Sequence, residues 1–292
     1  MIENTFTRCR PLLGTFVEIT LKSDDDKDQL IALSTVLFDE IERIDSLLGF
    51  HHLESELTQL NQQMLATTLD HYPISADMNN VLTLALSLHN SSEKLFDVAI
   101  APHLIKQNLL PNHFSHSVHQ LGTSANLFLN DQCLSTNAPL CIDLGGIAKG
   151  YAVDCAMNIL LNLKLKHPVK CTINAGGDLR SNDWNNEVVY LKYAKRANAI
   201  KKARMKQPSI ATSGTYLQSN NQDETSAIIN PIQKKPHQFK GCVSVFSQSA
   251  MLSDALTKAV ILMPKKEVKI LLRAYNAQAV ITNRFGFSRT IN

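Results

Sequence analysis

Two adjacent glycines run straight into a helical pattern in the stretch IDLGGIAKGYAVD, Ile142 to Asp154. Ile147, Tyr151, Cys155, Ile159 and Leu163 keep a four-residue step, so the turn opens a long helix. Gly145 and Gly146 have access to backbone conformations closed to other residues and let a ligand approach closely. The first N–H groups of the helix lack intrahelical partners, and its dipole adds partial positive charge there. With the ammonium of Lys149, the turn can form an anion pocket for a phosphate or pyrophosphate, and Asp143 can take a ribose hydroxyl, a base N–H or a metal. The same residues also suit an ordinary tight turn, with Asp143 as a cap and Lys149 in solvent. The glycine spacing matches neither a Walker P-loop nor G-x-G-x-x-G.

The rest of the chain mixes the two hydrophobic periods. Leu12 to Lys22 alternates from Phe16 onward and reads as a strand. Leu30, Leu33, Leu37, Ile41, Ile44 and Leu48 lie on one face of a helix that starts near Asp25 to Asp28. ESELTQLNQQ and DMNNVLTLALSLHNSS predict two further helices, and Leu110 to Ser135 reads as a loop-rich region. VKCTINAGGDLR, EVVYLKY, SIATSG, SAIINP and GCVSVFS are short strand candidates split by polar turns. Helices follow from about Met251 to Leu262 and over KKEVKILLRAY, with a last strand in AQAVITN. No linker or repeat interrupts this order, which predicts a single mixed α and β domain over residues 1–292.

A length of 292 residues with 44% hydrophobic residues is enough for a full core. The net charge of +3 is spread among both signs, which argues against a nucleic-acid partner. The basic stretch Lys192 to Lys206 reads as a solvated face. Six cysteines without a C-x-x-C pair read as thiols in a reducing compartment. With no apolar run before Cys9 and none of membrane-spanning length, the expected location is the cytoplasm, with no membrane segment.

Taken together, RPLLGTFVEI, SELTQLN, LFDVAIAP, IDLGGIAKGYAVD, NAGGDLR, IATSGTY, IINP and SDALTKAV resemble, in order, the ApbE family of FAD:protein FMN transferases. The resemblance runs from Arg10 to about Met263. It implies an α+β fold, a single compact domain with mainly antiparallel sheets flanked by helices. It implies an enzyme that binds FAD with magnesium, cleaves the pyrophosphate, and attaches FMN to a threonine of a flavin-accepting protein, releasing AMP. By motif, Lys149 would lie at the FAD phosphates and Asp143 beside the nucleotide. Leu95, Phe96 and Asp97 would help hold the cofactor, and Leu13 would touch it. His51 falls at an aromatic position of the family and either stacks on a ring or is an exposed loop residue. The metal would be held by the Gly146 carbonyl and the Asp254 carboxylate.

Three positions depart from the family pattern. Lys258 stands where the family has a threonine that ligates the metal, and a charged lysine offers donors only. Ala227 and Asn230 stand where the family has a histidine and an aspartate. The Lys258 ammonium is therefore expected to occupy the metal position beside Asp254, four residues away on one helix, with the Thr257 hydroxyl as the alternative metal ligand. The readings that follow are an active transferase with an altered metal site, a catalytically silent FAD-binding protein, or a hydrolase that splits FAD.

Overall fold

A computed structural model of the chain describes residues 4–117, 121–193, 200–214 and 226–292. Its main sheet contains eight strands, numbered here in chain order: β1 (Asn4–Leu12), β2 (Thr15–Ser23), β3 (Lys170–Ala175), β4 (Asp178–Ser181), β5 (Ser209–Gly214), β6 (Gly241–Ser247), β7 (Gln278–Asn283) and β8 (Ser288–Ile291). Their order across the sheet is the order along the chain, and every neighbouring pair is antiparallel. The fold is thus α+β, as the resemblance implied. Helices enter as insertions between consecutive strands. α1 (Lys27–Leu48), α2 (Glu56–Ala66), α3 (Ala76–Ser91), α4 (Ala101–Lys106) and α5 (Ala148–Asn162) all lie between β2 and β3. α6 (Ala250–Leu262) and α7 (Lys265–Ala274) join β6 to β7.

The sheet buries both faces where it matters. In β2, Val17, Ile19 and Leu21 point into the core while Phe16 is exposed, which is the two-residue alternation of a strand. β6 is buried along its length: Val243 and Val245 belong to the helix-covered core, and Phe246 joins Ile210, Val189, Leu191 and Met205 in a second cluster. That second cluster is covered by the hairpin Val188–Lys192 and Ile200–Arg204, whose Lys201, Lys202 and Arg204 face solvent. Residues 194–199 of the basic stretch lie outside the described residues.

The helix after the double glycine is buried more widely than its four-residue step predicts. Ala148, Gly150, Ala152, Val153, Asp154, Ala156, Met157 and Leu160 are all buried with Tyr151, whereas Leu163 is 42% exposed. The reason is that α5 is packed between α1, α6 and the sheet, so no single stripe describes it. At Gly150 an added Cβ would lie 2.2 Å from the Ala250 carbonyl oxygen, so only glycine admits this approach of α5 to α6. Asp154 then fastens the pair: its carboxylate accepts the Ala250 and Met251 N–H groups at 2.9 and 2.8 Å and Arg180 at 2.7 Å.

Several elements have no apolar signature. β1 and β8 are the two edges of the sheet and are largely exposed, so neither needs a hydrophobic stripe. Within the predicted loop-rich region, Leu127–Asn130 and Cys133–Thr136 form a hairpin, with Asp131 and Gln132 both at positive φ in its turn. In SAIINP only Ile229–Asn230 is a strand, paired with Lys235–Pro236. Among the described residues, no helix is long and apolar enough to cross a membrane.

Candidate functional site

The insertions between β2 and β3, the β1–β2 turn and α6 surround a cavity of about 750 Å³. One part of its wall is apolar, with Leu12, Leu13, Ile44, Leu48, Phe50 and Leu104. The other carries Asp143, Gly145, Gly146, Lys149 and Lys258. This combination of an apolar wall with a few converging charged groups is typical of a small-molecule site.

The β1–β2 turn brings Leu13 to the cavity at a backbone cost. Leu13 and Gly14 have φ of 56° and 66°, and the Leu13 N–H is held by Asp45 Oδ2 at 2.9 Å. A leucine in this region is strained by about 1 kcal/mol. We expect Leu13→Gly to leave unfolding stability within about 1 kcal/mol, because relieved strain offsets the lost side chain. Urea unfolding checks this, and a loss of more than about 2 kcal/mol would show that Leu13 carries no strain.

His51 is exposed at the rim of the cavity, in the turn after α1. Leu95 and Phe96 are buried and line the wall. Asp97 lines it too, but its carboxylate is committed to its own loop. It accepts the Ala99 N–H at 2.8 Å and the Ser124 hydroxyl at 2.6 Å, with His89 Nδ1 at 3.6 Å. Ala227 lines the cavity, and Asn230 is a turn former whose Oδ1 accepts the Ile232 and Gln233 N–H groups.

At the charged end the glycines act differently from the sequence-based expectation. Neither Gly145 nor Gly146 has positive φ; the turn that needs it is the second one, where Gly176 and Gly177 have φ of 63° and 108°. The N-terminus of α5 is largely occupied by the chain itself. Leu144 O accepts the Ile147 and Ala148 N–H groups, and Asp254 Oδ2 accepts that of Gly150 at 3.4 Å. The anion at the helix end is therefore Asp254, delivered by α6.

Lys149 and Lys258 meet at that carboxylate. Lys149 Nζ lies 3.4 Å from Asp254 Oδ2, 3.3 Å from Asp178 Oδ2 and 3.0 Å from the Gly145 carbonyl oxygen. Lys258 Nζ bonds Asp254 Oδ1 and, at 3.1 Å, the Asp254 carbonyl oxygen. Asp254 is fully buried, and Asp178 is 3% exposed. Burial alone would raise the Asp254 carboxyl, but the Lys149 and Lys258 ammoniums outweigh it, and its pKa is lowered. Burial depresses the Lys149 ammonium less than Asp254 and Asp178 support it, so it stays charged. Asp143 is raised by burial against the pull of the Gly145 N–H and Lys149. Its Oδ2 accepts that N–H at 3.2 Å.

Asp178 was not among the residues expected at the site, although its turn NAGGDLR was part of the pattern. Burial, then the negative charge of Asp254, push its carboxyl up to about 6. A raised carboxyl pKa means a stability contribution that is fully present below the ordinary value of 3.8 and is lost as pH rises through about 6. Asp178→Asn removes this dependence. Between pH 4 and pH 7 the wild type is expected to lose on the order of 2 kcal/mol relative to the variant in urea unfolding. Parallel pH profiles would contradict the raised carboxyl.

Thr257 does not reach the cavity. It is fully buried, and its hydroxyl bonds the Asp254 carbonyl oxygen and Ser213 Oγ, both at 2.7 Å. Among the described residues, no group of three or more His, Cys, Asp or Glu side chains could hold a metal ion. Magnesium is commonly held by one or two carboxylates with waters and phosphate oxygens, but the carboxylate placed for it, Asp254, already carries the Lys258 and Lys149 ammoniums on its two oxygens, so the residues here do not fit the ion.

The family model for ApbE matches residues 13–281. The ApbE protein of Thermotoga maritima superposes with a TM-score of 0.83 at 20% identity, covering 98% of this chain and 96% of that one. The flavin transferase ApbE of Vibrio cholerae gives 0.81 at 20% identity, with 99% and 97% covered. The flavinyl transferase ApbE of Pseudomonas stutzeri, in its apo form, gives 0.78 at 18% identity, with 99% and 95% covered. No curated protein matches the sequence. With a family match over nearly the whole chain and the same fold throughout, this protein belongs to the ApbE family.

Proposed function

We propose that this protein binds FAD in the cavity, with the diphosphate at Lys149 and Lys258, and transfers the FMN half to a threonine of an acceptor protein, releasing AMP. The observation that carries the reading is the junction of an apolar wall with two converging ammoniums in one cavity, in a member of the ApbE family. The apolar wall suits flat rings, and the ammoniums suit a diphosphate. Leu13, His51, Leu95 and Phe96 would contact the flavin nucleotide, Asp143 would lie beside its polar groups, and Asp97 would hold the wall in shape. In the transfer, the threonine oxygen forms a bond to the phosphorus on the flavin side. The bond from that phosphorus to the bridging oxygen breaks, AMP leaves with that oxygen, and the hydroxyl proton goes to solvent or to the AMP phosphate.

Six free cysteines fit a reducing compartment and support an acceptor in the cytoplasm. The test is incubation of the purified protein with FAD and a protein extract of its source, followed by a denaturing gel viewed by flavin fluorescence and by chromatography for AMP. A fluorescent band together with AMP is the expected result. A second reading, FAD binding without transfer, is favoured by Ala227 on the cavity wall and by Lys258 on Asp254. FAD bound with neither product would select it, and AMP with FMN but no labelled protein would point to hydrolysis.

A further inference from the structure

We propose that Lys258 is the resident cation of this site, so that a dinucleotide diphosphate binds without a divalent metal ion. The inference rests on the reading that the cavity takes a flavin dinucleotide. Its basis is where the Lys258 side chain lies. The stem crosses Gly146, at which an added Cβ would be 3.7 Å from Lys258 Cε, and the ammonium bonds both the carboxylate and the carbonyl of Asp254. The stem thus passes Gly146 and the ammonium ends on Asp254, the two residues at which the family resemblance would put a metal. Asp254 has no oxygen to spare, because Oδ2 faces Lys149 and the Gly150 N–H. The hydroxyl next in line, Thr257, is turned away to Ser213.

Access agrees: Lys258 lines the cavity with its side chain 20% exposed, and it shares Asp254 with Lys149, which lines the same cavity. An ammonium with three donors can keep Asp254 and still donate to a phosphate oxygen. A divalent ion entering here would have to expel that ammonium from a fully buried carboxylate, which is costly.

The first experiment is a titration of the purified wild type with Mn2+, followed by electron paramagnetic resonance, without and then with FAD. The expected result is a free-ion signal that the protein does not attenuate in either case. Stoichiometric loss of the signal would overturn the proposal. The second is FAD affinity in Mg2+ and in chelator. The two values are expected to agree within about twofold, and a gain of about tenfold or more in Mg2+ would overturn the proposal. Lys258→Met is expected to weaken FAD binding about tenfold in chelator, and wild-type affinity in this variant would remove Lys258 from its role. Lys258→Thr is expected to acquire Mn2+ binding. If FAD binds in neither buffer, the flavin reading fails, and Mn2+ retention by the protein alone still decides against Lys258.

Discussion

Lys149→Met is expected to lose FAD affinity by about 10- to 100-fold, the effect of deleting one charge-assisted contact to a phosphate. The same change strips Asp254 and Asp178 of a shared partner at 3.4 and 3.3 Å. Removing one member of a buried ion network leaves uncompensated charge, and the expected destabilisation is about 3 kcal/mol near pH 8. At pH 5 the penalty should be smaller. Asp178, pushed up to about 6 by burial and Asp254, is largely neutral at pH 5 and leaves little uncompensated charge there when Lys149 is removed. Urea unfolding of wild type and variant at both pH values checks this, and an equal penalty at the two would show that Asp178 does not buffer the site.

The second large effect lies one layer behind the cavity. Asn61 is fully buried on α2, and its amide spans the backbone of Ile142, accepting the N–H and donating to the carbonyl, both at 2.8 Å. Ile142 is also fully buried and immediately precedes Asp143, so one side chain from a distant helix sets where the double-glycine turn begins. Asn61→Leu keeps the size but leaves two buried backbone groups without partners. The expected cost is about 3 kcal/mol, which for a chain of this length lowers the melting temperature by roughly 6 °C. Flavin affinity should fall as well, because the Asp143 turn loses its anchor. A melting temperature within about 1 °C of wild type would mean that water or a shifted backbone replaces the amide.

The sequence made the interior of this fold legible and left its edges obscure. The alternation in β2 and the Leu30 to Leu48 stripe of α1 mark elements with one buried face. β1, β8 and the Leu127–Thr136 hairpin are exposed or partly so, and polar strands leave no periodic trace. α5 fails in the opposite way, since a helix buried nearly all round has no stripe to read.

The site divides similarly. Leu13, His51, Leu95, Phe96, Asp97, Asp143, Gly146 and Lys149 come together on one cavity although they span four separate stretches of chain. A glycine turn opening a helix already pointed to Asp143, Gly146 and Lys149, the motif resemblance named the others, and periodicity alone named none. The resemblance put a metal at Asp254 and the lysine four residues on put an ammonium there; the Lys258 pair is present, whereas the bonds of Asp254 to Lys149 and to the N-terminus of α5 were not foreseen. Asp45 and Asn61 were missed. Their roles are to hold backbone N–H groups across long sequence separations, and a single polar residue on a helix gives no sign of that.

The most direct measurement is a calorimetric titration of the wild-type protein with FAD and, separately, with riboflavin, which keeps the flavin ring and lacks the diphosphate. A site built from an apolar wall and two ammoniums should favour FAD by about 100-fold or more. Equal affinities, or no binding of FAD, would contradict a diphosphate seat at Lys149 and Lys258.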